Sequence, residues 1–147
     1  MNHNSFIYRR NPLERLICKC ICKLQGAELP PPCNMGKNIH FPHGLKGIVL
    51  HPNTILEDDV TIFHQVTCGR GDFYNIDKRV CESQFKGIVI KKGAILCSGA
   101  KIICNRGTLV VGENTVVGAN AVLTKNTGDD EIWVGVPAHF LKRREFK

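Results

Sequence analysis

The chain has 147 residues, 43% of them hydrophobic and 22% charged, with a formal net charge of +7. That length suits one domain with a real core, and the balance excludes global disorder. No apolar run reaches the roughly 18–20 residues of a membrane span, and the dispersed basic charges match no nucleic-acid-binding module.

The N-terminal stretch MNHNSFIYRRNPLERLICKCICKL is basic. It lacks a continuous apolar segment followed by a small-residue cleavage site, which argues against a secretory signal. Within it, Leu13, Leu16, Ile17, Cys20, Ile21 and Leu24 fall on one helical face, with Arg15, Lys19 and Lys23 elsewhere. Asn11 suits the cap and Pro12 the first turn. The pattern predicts one short amphipathic helix packed on the end of the domain or on a neighbouring subunit, followed by the linker GAELPPPC.

From Leu50 a six-residue period sets in. Leu50, Leu56, Ile62 and Cys68 lead successive hexads, with Thr54, Val60 and Val66 four positions after the first three. A second run has leaders Ile90, Leu96 and Ile102 with Ala94 and Ala100 between them. A third has Val111, Val117 and Leu123 with Thr115 and Ala121. This period is neither helical nor simple strand alternation. It predicts a triangular solenoid whose leading aliphatics point inward and whose small residues fit the corners. Gly93, Gly99, Gly112, Asn114, Gly118 and Asn120 supply the backbone freedom of corners. Ile48, Val89 and Ile95 read as face residues that need cover, which predicts a homotrimer.

Two segments leave the period. GRGDFYNIDKRVCESQFK, between Cys68 and Ile90, is polar and irregular, with Phe73 and Tyr74 as either sugar-stacking or anchoring aromatics. EIWVGVPAHFLKRR is expected to fold back as a short strand, with Pro137 and Ala138 opening a short helix. Among the eight cysteines, Cys18, Cys20 and Cys22 alternate with Ile and Lys, Cys68 and Cys97 lie in the repeats, and no C-x-x-C pair occurs. They read as free thiols of a reducing cytosol, which places the chain in the cytoplasm.

The segment NIHFPHGLKGIVLHPN carries His40, His43 and His51. A neutral imidazole can take a proton from an alcohol when a carboxylate orients it. Glu28 lies fifteen residues before His43. With about eighteen residues per coil, the two are expected near each other on adjoining coils.

The stretch PHGLKGIVLHPNTILEDDVTIFHQVTCG, with IKKGAILCSGAKI, VGENTVVGANAVL and GVPA, strongly resembles the hexapeptide-repeat acetyltransferases. The likeness is nearest the serine acetyltransferase branch and the related O-acetyltransferases of surface-polysaccharide gene clusters, over residues 28 to 143. It implies an all-β, left-handed parallel β-helix: residues 1–27 a helical extension, 28–143 the catalytic domain with a loop at about 70–87, and 144–147 a tail. It implies an acetyl-CoA-dependent enzyme with His43 as general base, Glu28 as its orienting carboxylate, and an oxyanion donor near Gly69–Arg70. The cofactor-contacting positions fall on Gly69, Arg70, Ser98, Gly99, Gly118 and Ala119 in a groove between subunits, with Lys142 and Arg143 for the adenosine phosphates. No metal is expected.

Two departures bear on the acceptor. True serine acetyltransferases carry a second active-site histidine after an Arg, where SQFKGIVI has Lys86 and Gly87. His64 is either a spatial substitute or an exposed coil histidine. That branch also carries a long helical N-terminal domain. Both departures favour a sugar or nucleotide-sugar hydroxyl over serine. The competing readings are a zinc-dependent hydratase using His40, His43 and His64, and a non-catalytic scaffold.

Overall fold

The computed structural model describes residues 12–29, 34–72 and 84–146; Asn11, Phe73 and Tyr74 lie outside these. Helix α1 (Pro12–Leu24) leads into a left-handed parallel β-helix. The first coil carries β1 (Asn34–Met35) and β2 (Pro42–Leu45). The second carries β3 (Val49–Leu50), β4 (Thr54–Leu56) and β5 (Thr61–Ile62), and the third β6 (Thr67–Arg70), β7 (Phe85–Ile90) and β8 (Ile95–Leu96). The fourth carries β9 (Lys101–Cys104), β10 (Gly107–Val111) and β11 (Val116–Val117). The last holds β12 (Val122–Leu123) and β13 (Glu131–Val134), closed by β14 (His139–Arg143).

Stacking produces three faces. Face A is β3-β6-β9-β12, face B is β1-β4-β7-β10, and face C is β5-β8-β11-β13-β14. Every pairing is parallel except β13 with β14. The leaders of all three hexad runs, from Leu50 to Leu123, are at most 1% exposed, and the small residues between them are fully buried. Each buried aliphatic contributes about 1.5–3 kcal/mol, realised only when the next coil covers it.

The corners are built in two ways. Gly93, Gly99, Asn114 and Asn120 have positive φ, and so do Asn38, Asp59 and Gln65, which extend the same corners into earlier coils. Gly112 and Gly118 do not. They are needed for close approach: a Cβ on Gly112 would collide with the Gly128 carbonyl, and one on Gly118 would lie 2.9 Å from Val134.

Coil length varies at defined corners. Glu28 pairs with Val49, Asn34 with Ile55 and His40 with Thr61, all 21 residues apart, whereas Val49 pairs with Thr67 after 18. The three extra residues fall between His40 and Val49, where the chain makes the excursion β2. Ile48, expected on an outer face, is wholly buried inside this first turn, while Val89 and Ile95 are half-buried.

Both ends depart from expectation. At the C-terminus no helix forms after Pro137. Residues 135–138 turn, with Gly135 at φ 95°, and the chain returns as β14, whose backbone satisfies the edge of β13. At the N-terminus, α1 ends at a left-handed Gly26, with the Ala27 amide donating to the Cys22 carbonyl at 2.8 Å. Its apolar residues Leu13, Leu16, Ile17, Ile21 and Leu24 are exposed, so the helix does not bury that face on its own prism.

Candidate active site

The excursion that carries His43 is held by Gln25, the residue that follows α1. The Leu45 amide donates to Gln25 Oε1 at 2.6 Å, and the Gly47 amide donates to the Gln25 carbonyl at 2.9 Å. His43 itself is exposed. Its ring lies against two side chains of the next coil: Phe63, with centroids 5.7 Å apart, and His64, 5.2 Å away and nearly perpendicular at 77°. Above these, Ser98 Oγ lies 3.4 Å from His64 Nδ1.

These residues share one edge of the prism, where face C turns into face A. The corners are stitched together by backbone bonds. The Gln65 amide donates to the Lys46 carbonyl, Gly99 to His64, Asn120 to Ser98, and Val122 to Gly135, all at 2.8–3.0 Å. His43, His64, Ser98, Gly99, Gly118 and Ala119 therefore form a single column. Its upper part is small side chains and backbone. Among the described residues, the Ser98 and Ala119 amides make no backbone hydrogen bond, so they remain free to donate to a bound group.

Gly69 and Arg70 are elsewhere, at the end of β6 where face A turns into face B. Arg70 makes a bidentate pair with Asp72 at 2.7 and 2.9 Å, and its guanidinium lies 5.9 Å from the Phe85 ring centroid. His51 stacks edge-on against the same ring at 4.7 Å. Burial and the Arg70 charge lower the His51 pKa, with Asp72 opposing, and the Asp72 hydrogen bond raises that of Arg70. Lys86 and Gly87 line a groove of about 280 Å³ on face B with Asn34, Asn53, Ile55 and Thr108.

Glu28 lies beneath β3, its backbone bonded to Ile48 and Leu50 and its side chain exposed. Among the described residues, no hydrogen bond or ion pair joins it to His43. Both residues belong to the first coil, in which Glu28 pairs with Val49 and His40 with Thr61, so they are not on adjoining coils as an eighteen-residue spacing predicts. Lys142 and Arg143 are exposed on β14, at the far end of the prism. Among the described residues no three His, Cys, Asp or Glu side chains are grouped to hold a metal, so His40, His43 and His64 are not assembled as a ligand set. Phe63 and Gln25 were not singled out by sequence. Only the contact across one coil reveals them.

No family model matches the chain. It is 35% identical over 113 residues to a putative serine acetyltransferase of Schizosaccharomyces pombe, a match covering 77% of this chain and 37% of that one. It is 31% identical over 143 residues to a serine acetyltransferase of Buchnera aphidicola subsp. Schizaphis graminum, covering 97% and 51%. A solved serine acetyltransferase in complex with CoA matches with TM-score 0.68 and 26% identity over 90% of this chain and 49% of that one. The chain belongs to the hexapeptide-repeat acetyltransferases. It spans about half the length of the curated relatives it matches. The Schizosaccharomyces pombe and Buchnera aphidicola relatives of this hexapeptide-repeat acetyltransferase are both named for serine, and neither for a sugar acceptor.

Proposed function

We propose that the chain transfers an acetyl group from acetyl-CoA to the hydroxyl of a small acceptor, with His43 as the general base. The observation that carries this reading is the column itself: an exposed imidazole at its foot and small-residue corners, with the Ser98 and Ala119 amides unbonded to backbone, running up from it. The relatives' names favour serine as the acceptor.

In this reading His43 takes the proton of the acceptor hydroxyl as its oxygen attacks the thioester carbonyl. The new C–O bond gives a tetrahedral oxyanion, stabilised by a backbone N–H. Collapse breaks the C–S bond, and the CoA thiolate recovers the proton from the imidazolium. The acetyl-CoA arm runs along Ser98, Gly99, Gly118 and Ala119, with Lys142 and Arg143 as cations for the phosphates. Gly69 and Arg70 lie on the opposite edge of face A, so they join the site from a second subunit of a homotrimer. The half-buried Val89 and Ile95 and the 41% exposed Ile55 supply apolar surface for that assembly. Thiols of Cys20, Cys97 and Cys104 are unbridged, which supports a cytoplasmic setting. No helix among the described residues is long and apolar enough to cross a membrane.

A second reading, a bulkier sugar acceptor, is favoured by Gly87. A Cβ there would lie 2.8 Å from the Asn53 carbonyl, so no side chain fits, and the groove beside it stays open. A CoA-release assay with free serine, simple sugars and nucleotide sugars separates the two. Turnover with serine supports the first reading, turnover only with a sugar supports the second, and none with any hydroxyl acceptor defeats both.

A further inference from the structure

A histidine that serves as a base must hold its ring plane, because a free imidazole on an exposed corner rotates away from its substrate. The carboxylate expected to hold it, Glu28, makes no bond to His43. What touches His43 is the corner of the second coil, where Phe63 and His64 set their rings 5.7 and 5.2 Å from it at 55° and 77°. Both geometries fall in the range of favourable tilted and edge-to-face ring pairs.

The backbone that carries the second of these rings is held by hydrogen bonds. The His64 carbonyl accepts the Gly99 amide at 3.0 Å, and the next residue, Gln65, holds φ 60° while its amide donates to Lys46 at 2.8 Å. Lys101 Nζ donates to the Gln65 carbonyl at 2.6 Å. On the third coil, Ser98 Oγ lies 3.4 Å from His64 Nδ1. A line of contacts therefore runs from Ser98 through His64 to His43 across three successive coils.

We propose that His64 is a positioning residue, whose ring holds the His43 imidazole in the orientation that accepts the acceptor's proton. The role rests on the reading of His43 as the base. It requires an aromatic plane at position 64 and no proton transfer through it. Phe63 shares the packing from the other side.

The test compares His64→Ala with His64→Phe in the full chain. A misplacement of this kind costs about 10- to 100-fold in kcat while leaving the KM for acetyl-CoA within about threefold. His64→Ala shows that split, and His64→Phe, which restores the ring, returns kcat to within about threefold of the parent. By NMR, the His43 Cε1–H resonance moves when His64→Ala removes the neighbouring ring. Parental kcat in His64→Ala overturns the proposal, as does a His64→Phe variant as slow as His64→Ala, or a His43 resonance indifferent to both. The resonance reports the ring contact even if the parent lacks acetyl transfer, so failure of the base assignment is read separately, from His43→Ala.

Discussion

Burial is the main cause that lowers the His51 pKa, and the Arg70 guanidinium adds to this while Asp72 works against it. The Asn53 amide donates to His51 Nδ1 at 3.0 Å, a bond that exists only while that nitrogen is unprotonated. The unfolded ring titrates near its ordinary value of 6.5 and the folded one below it. Between those two values the unfolded state binds more protons, so stability falls as pH drops below about 6.5 and levels off beneath the folded pKa. Melting temperatures from pH 7.5 to 5.5 are expected to decline less in His51→Asn than in the parent. Parallel slopes would show that His51 contributes nothing to the decline. Single residues also show the limit of sequence reading here. His43 was found through its family motif, but its neighbour His64 is 21 positions away, and nothing in linear order marks the two rings as partners.

Elements explain why the prism was legible. Each hexad places one aliphatic inside and one small residue beside it, so the repeat is a direct imprint of burial, and Leu96, Ile102 and Leu123 are all fully buried. Ile102→Ala should therefore cost about 2–5 kcal/mol, read from urea unfolding. A change below about 1 kcal/mol would show that the coils do not rely on that layer. The first coil and the C-terminal closure were less legible because they break the period. Three inserted residues around His43 change the register of Glu28, and the edge of β13 draws the chain after Pro137 into a strand. The excursion is tied to Gln25, just past α1, by one side-chain and one backbone hydrogen bond. Gln25→Ala removes the acceptor of the Leu45 amide, a loss of about 1 kcal/mol that should speed exchange of that amide about fivefold. Unchanged exchange there would mean the excursion stands without the Gln25 side chain.

For the whole molecule, the two sets of site residues lie on opposite edges of face A. His43 heads one edge, and Gly69 with Arg70 ends the other. One chain does not bring them together, so the proposed site needs a neighbour. Light scattering should give about three times the 16.4 kDa of one chain. A monomeric mass would remove the shared site. The threefold arrangement was inferred from apolar faces and resemblance, and its details were not legible because a single sequence encodes each edge without saying which edge it meets.

The most direct measurement is CoA release by His43→Ala with acetyl-CoA and serine or a sugar acceptor, alongside its melting temperature. The account predicts a variant that melts with the parent and loses turnover by about a thousandfold or more. A folded His43→Ala chain that releases CoA at the parental rate would contradict it.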